Sequence, residues 1–232
     1  MKSFFKVTAL CAALCLVLAG CSSIDPVIPE IEDQANFVFT QFQEPQPGDY
    51  KVVMSTSKGD IELTLFPNHA PVIVDNFIQL VEEGFYDGQV VFGIEPEIAF
   101  MAGSPAEDGT EAKTVTGEPL EKEIVIDLHP YAGALAALSS EDGYSDSRYC
   151  IFGAYPLDED TEAGMLEMNY PQVLVDKYKE VGGFPGVYGY YTIFGQVVQG
   201  MDVVEAIIAC YDVEGEAITE TITIDSITVS RY

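Results

Sequence analysis

Few side chains in this 232-residue chain are equipped for chemistry. The stretch VVFGIEPEIAFMAGSP, residues 90–105, has the cadence of an active-site wall, with two apolar runs around a Glu-Pro-Glu turn. Its only ionisable groups are Glu95 and Glu97, both beside Pro96. His69 and His129 lie far apart with no ligand spacing, and both read as structural hydrogen-bonding residues. Asp158, Asp160 and Glu162 alternate like a Ca²⁺ loop but lack the glycine and the later glutamate of an EF-hand, which makes them a solvated acidic loop. Tyr188, Tyr190 and Tyr191 crowd one segment, either as core or as a stacking surface for a Pro-rich or sugar ligand. No phosphate loop, nucleophile motif or Cys/His metal cluster is present, and no cofactor is expected.

The elements that must position these groups are mostly short and extended. YKVVMSTSKGDIELTLF has two strand-like runs about Ser57-Lys58-Gly59-Asp60, a β-hairpin signal. APVIVDNFIQLVEEGFYDG places Pro71 in a first helical turn, puts Ile73, Phe77, Leu80 and Val81 on one face, and stops at Gly84. After a polar loop from Ser104 to Gly117, EIVIDL, GALAAL, YCIF and YTIFGQVV read as strands. PQVLVDKYKEV and MDVVEAIIAC read as helices. ITETITIDSITVS alternates, slips phase at Asp225-Ser226 and alternates again, which predicts a bulged last strand. Short strands with two main helices and no βαβ alternation predict an antiparallel barrel or an α+β domain.

The N-terminus is set apart from this pattern. Lys2 and Lys6 precede an apolar run from Val7 to Ala19, too short to span a bilayer but suited to a signal peptide. Leu18-Ala-Gly-Cys21 looks like the lipobox of bacterial lipoproteins, which are cut before the cysteine and acylated on it. The expectation is a signal peptide over 1–20, lipidated Cys21, an acidic Pro-rich tether over 21–48 and a domain over 49–232. Phe37, Val38 and Phe39 are the tether residues expected to dock on the domain. The expected location is extracytoplasmic, anchored to a bacterial membrane through Cys21. Cleavage takes the formal charge from −28 to −30. With isolated basic residues, that charge excludes nucleic acid as a partner. Cys150 and Cys210 then remain beside the anchor, as one disulfide or as two buried thiols.

From about Tyr50 onward the chain resembles the cyclophilin-type peptidyl-prolyl cis-trans isomerases. The resemblance is carried by STSKGDIELTLFPNHAPVIVDNFIQLVEEGFYDG, by Glu123, His129 and Gly133, and by YTIFGQVVQGMDVVEAI. It implies a mainly β fold, a closed eight-stranded antiparallel barrel capped by two α-helices, here with a short helix inserted within 153–190. It also implies a monomer that isomerises X-Pro bonds in a proline-containing peptide or exported protein.

The same resemblance implies a pocket from Ile98, Met101, Leu138, Ser139, Cys150, Val187 and Tyr191. At several of these positions the family's usual residue is replaced. Gly93 stands where the family has its catalytic Arg, Cys150 replaces a Phe, and Met101 replaces a Gln. Arg148 and Arg231 are the only arginines. Arg148 falls where the family has a Gln lining the site, so it is the candidate for a relocated donor. Otherwise it is a surface residue offsetting acids such as Asp142 and Asp146. Activity is expected to be weakened or rewired, or replaced by non-catalytic peptide binding.

Overall fold

The computed structural model describes residues 31–140 and 143–232. Cys21, the proposed signal peptide and Asp142 lie outside the described residues. The hairpin forms as expected from β1 (Tyr50–Thr56) and β2 (Gly59–Leu65). Gly59 makes the turn possible with φ near 134°, a conformation that side-chain-bearing residues resist. Alternation buries Val52 and Met54 on one strand and Ile61 and Leu63 on the other.

The remaining strands are β3 (Gln89–Val90), β4 (Gly93–Glu95), β5 (Ala99–Ala102), β6 (Ala134–Ser139), β7 (Ser145–Phe152) and β8 (Thr192–Gln199). Then come a small two-stranded unit, β9 (Tyr211–Asp212) with β10 (Ala217–Ile218), and finally β11 (Thr223–Arg231). Nine strands form one antiparallel sheet in the order β3-β11-β1-β2-β8-β6-β7-β5-β4. This corrects the expected closed eight-stranded barrel: the sheet is a curled, open half-barrel whose two ends are β3 and β4. The cause lies at Val91-Phe92. The Val91 N–H bonds Ile222 O at one end of the sheet, and the next N–H, of Phe92, bonds Met101 O at the other. One extended stretch is thereby divided between two edges. The slip in the last strand is also present: Ser55 pairs with Ser226 and Thr56 with Ile224, which leaves Asp225 as the bulge.

Two helices close the sheet's inner face. From α1 (Pro71–Glu82) come Ile73, Val74, Phe77 and Leu80, all buried. Ala70 supplies no side-chain cap, so the Glu123 carboxylate accepts from the Val72 and Ile73 N–H groups at 3.2 and 2.9 Å instead.

The segment 153–190 contains two α-helices where one was expected, followed by a single 3-10 turn at Pro185–Val187. The unanticipated one, α2 (Glu159–Glu167), buries only Met165, so no apolar period announced it. Its start was written in Asp158, whose carboxylate caps the Thr161 N–H at 2.7 Å. That makes the supposed acidic loop a capped first helical turn. α3 (Gln172–Val181) lies where the sequence places it. The last helix, α4 (Met201–Ile208), buries Val204, Ile207 and Ile208. EIVIDL is not a strand. It crosses the sheet's outer face with Leu128 buried and Ile124 and Ile126 exposed.

Residues 37–42 rest against the segment 153–190. Phe37 and Phe39 pack on the cluster of Tyr131, Met165, Leu174 and Tyr178. Lys177 Nζ lies 4.8 Å from the Phe39 ring and 4.9 Å from the Phe42 ring. Val38 stays exposed. Buried Gln41 accepts from the His129 N–H at 2.7 Å and donates to His129 O at 2.9 Å.

Candidate functional site

Strand alternation separates two apolar layers. On β5, Phe100 and Ala102 face the inner core, and Ala99 and Met101 face out. On β7, Tyr149 and Ile151 face in, and Cys150 and Phe152 face out. The register sets Met101 and Ala136 on either side of Cys150, so apolar outer side chains from three adjacent strands lie together. Over them come Ile98 from the β4–β5 turn, Leu138 from the end of β6, Val187 from the segment 153–190, and Tyr191. Six of the seven expected pocket residues therefore share one cluster. Ser139 stands at its rim, where its hydroxyl donates to Tyr190 O at 3.1 Å.

The cluster is apolar and uncharged. Ile98, Cys150 and Val187 are buried, and Met101, Leu138 and Tyr191 are partly exposed. Burial pushes the Cys150 thiol far above its usual range, so it is neither a thiolate nor a nucleophile. Cys150 and Cys210 are both free, in different layers of the core. Burial also raises Tyr191, with a smaller contribution from Cys150. Glu95, on the β4 edge across from Ala99, has its carboxyl raised by burial. Gly93 sits opposite Met101, and a Cβ at Gly93 would lie 3.1 Å from the Met101 methyl. The methionine thus occupies the space beside the glycine.

Arg148 precedes Cys150 by two residues on β7, hence on the same outer face. Its Nε and one terminal nitrogen donate to the two Asp146 carboxylate oxygens at 3.0 and 2.7 Å. The other terminal nitrogen donates to Gly109 O at 3.0 Å. These bonds engage three of the five guanidinium N–H groups. Sequence reasoning named Asp146 only as a nearby acid. That it forms a fork with Arg148 follows from their two-residue spacing on a strand, a usable signal.

Other candidates lie elsewhere. Tyr188 is taken by His129, on which it stacks at 4.5 Å. Burial lowers His129 from 6.5 to about 4, and its Nδ1 has no hydrogen-bond partner. His69 lies 3.8 Å from Asp127. Among the described residues, no three His, Cys, Asp or Glu side chains converge to hold a metal ion. Sequence reasoning missed Tyr155 and Phe184, which join the outer cluster from the segment 153–190.

Comparison with known proteins matches this architecture. The family model "Cyclophilin type peptidyl-prolyl cis-trans isomerase/CLD" matches residues 51–229. A Staphylococcus aureus (strain USA300) protein named as a peptidyl-prolyl cis-trans isomerase is 32% identical over 165 residues, 71% of this chain and 84% of that one. A Staphylococcus epidermidis relative of the same name is 30% identical over the same length. Among solved structures, a Cryptosporidium parvum cyclophilin type peptidyl-prolyl cis-trans isomerase superposes with a TM-score of 0.62 at 18% identity, covering 79% of this chain and 99% of its own. The same protein studied in the presence of the dipeptide Ala-Pro gives the same score. The fold is that of the cyclophilins. The chain belongs to the cyclophilin-type peptidyl-prolyl cis-trans isomerase family.

Proposed function

We propose that this family member is a lipid-anchored peptidyl-prolyl isomerase acting on exported proteins, with a rewired site in which Arg148 replaces the donor missing at Gly93. The reading places the membrane anchor at Cys21 and the client's proline on the outer face of β5, β6 and β7.

The reaction asks little of the protein. Twisting an X-Pro amide costs ~20 kcal/mol because resonance is lost, and it takes ~10–100 s unaided. Catalysis needs an apolar seat for the ring, a grip on one flank and a donor for the pyramidal nitrogen. No metal, cofactor or covalent intermediate is called for. The supporting observation is the shared cluster of Ile98, Met101, Leu138, Cys150, Val187 and Tyr191, with Arg148 next along the same strand face. The Asp146 fork holds the guanidinium in one orientation, which suits a preorganised donor. That same fork favours the second reading, a peptide-binding module without catalysis, because it already occupies part of the donor set.

X-Pro isomerisation in a proline tetrapeptide, measured with the full chain and with Arg148→Ala, separates the two. The donor role predicts a fall in kcat/KM of about 10²-fold or more with a small change in Tm. Activity indifferent to the substitution contradicts that role. A folded chain with no rate above background makes it a binding module.

A further inference from the structure

Beside the outer cluster lies a cleft that the proline reading does not use. This cleft of about 320 Å³ opens between the β4–β5 turn, the start of the segment 153–190 and the end of α4. Its walls include Pro96, Glu97, Tyr155, Glu205, Ile208 and Tyr211, with no Lys or Arg among the lining residues. A water needs roughly 10–15 Å³, so this space fits a side chain.

Behind the cleft, Gly153 lets α4 and the β4–β5 turn approach closely. A Cβ there would meet Ile208 Cδ1 at 2.7 Å and Glu205 Oε1 at 3.2 Å. Glu205 is fixed by accepting the Ala154 N–H at 2.7 Å. Glu97 is held at the rim in a costly way. The turn Glu95–Ile98 is closed by the Ile98 N–H on Glu95 O at 3.0 Å, with Pro96 second and Glu97 third at φ 65°. That third position favours glycine, and a carboxylate stands there instead.

Two carboxylates, two tyrosine rings and an apolar floor suit one kind of guest. A Lys or Arg side chain lays its alkyl stem on Ile208 and Pro96 and sets its cation among the acids and ring faces. The cleft and the outer cluster also share a wall. Ile98 and Glu97 are successive residues, Ile98 O accepts from the Gly153 N–H at 2.7 Å, and Tyr155 touches both.

We propose that this cleft is a subsite for a basic side chain of a peptide whose proline sits in the outer cluster. The inference rests on the proline-peptide reading above. The net charge of −28 attracts basic peptides everywhere, so the test must separate this cleft from general attraction.

Fluorescence anisotropy would compare the labelled peptide Lys-Ala-Ala-Pro-Ala-Ala-Lys with its Gln-for-Lys counterpart on the full chain. A preference for lysine of about 10-fold is expected, falling to within about twofold in the double variant Glu97→Gln, Glu205→Gln. Neutralising two acids on α1 instead, Asp75→Asn and Glu82→Gln, leaves the preference in place. Glu97→Gly guards against a folding artefact: it relieves the left-handed backbone, keeps Tm or raises it, and lowers the preference. A lysine preference that survives the double variant, or none in the wild type, overturns the cleft. Binding of the Gln peptide without a lysine preference contradicts the cleft alone. A lysine preference lost only in the cleft variants, with no response of the outer cluster to proline, contradicts the proline reading alone.

Discussion

The two faces of the same strands are built on different rules. The inner face carries Phe100, Leu135, Tyr149, Ile151 and Phe194, large groups sealed by two helices. There the rings of Phe77, Tyr86 and Tyr149 meet one another at centroid distances of 5.3 to 6.1 Å. The outer face, one residue out of phase, mixes Ala99, Ala134, Ala136 and Cys150 with the larger Met101, Phe152 and Ile193, and is covered by turns and by the segment 153–190. Side chains close-packed under helices tolerate little change in volume, and the partly exposed Met101, Leu138 and Tyr191 of the outer face have more freedom to adjust.

Substitutions across the two faces sharpen or break that contrast. Phe100→Ala, on the inner face, should cost about 3–5 kcal/mol in denaturant unfolding. A cost under about 1.5 kcal/mol would mean that the inner layer is as forgiving as the outer.

A pH effect of similar size should come from behind the outer rim. His129 is lowered to about 4 in the fold from 6.5 in the free state. Above 6.5 it is neutral in both states and its stabilising contribution is complete. As pH falls from 6.5 towards about 4, the unfolded chain takes up a proton that the fold refuses, and about 1.4 kcal/mol is lost per pH unit. His129→Gln should flatten urea-unfolding stability over that window; an unchanged slope would assign the effect to other groups.

On the outer face itself, Cys150→Ala should cost about 1 kcal/mol, because few atoms are removed and the covering loops can settle. A cost matching Phe100→Ala would dissolve the distinction. Smallest of all, Lys113→Ala breaks an exposed pair with Glu83 at 2.6 Å and should change stability by no more than about 0.5 kcal/mol.

Much of this architecture was legible because alternation and turn chemistry are local. The hairpin about Gly59, the helix from Pro71 and the bulge at Asp225 all follow from neighbours in sequence. The open sheet was not legible, because it depends on Val91 and Phe92 bonding in opposite directions. α2 was hidden because its single buried residue, Met165, sets no period. EIVIDL misled through its β-branched residues, whose alternation here reports contact with a sheet from outside rather than membership of it. At the site, the resemblance named residues that do converge in space. It did not reveal the Asp146 fork or the cleft, which depend on side-chain geometry and on segments brought together by the fold.

The central claim is that a proline peptide meets the outer face and leaves the inner one untouched. Methionine methyl groups report on both. Met101 belongs to the outer cluster and Met54 to the inner core. With ¹³C-methyl methionine in the full chain, titration with a proline tetrapeptide should shift the Met101 resonance in a saturable way and leave Met54 in place. A saturable response at Met54 without one at Met101, or binding that moves neither, would contradict the account.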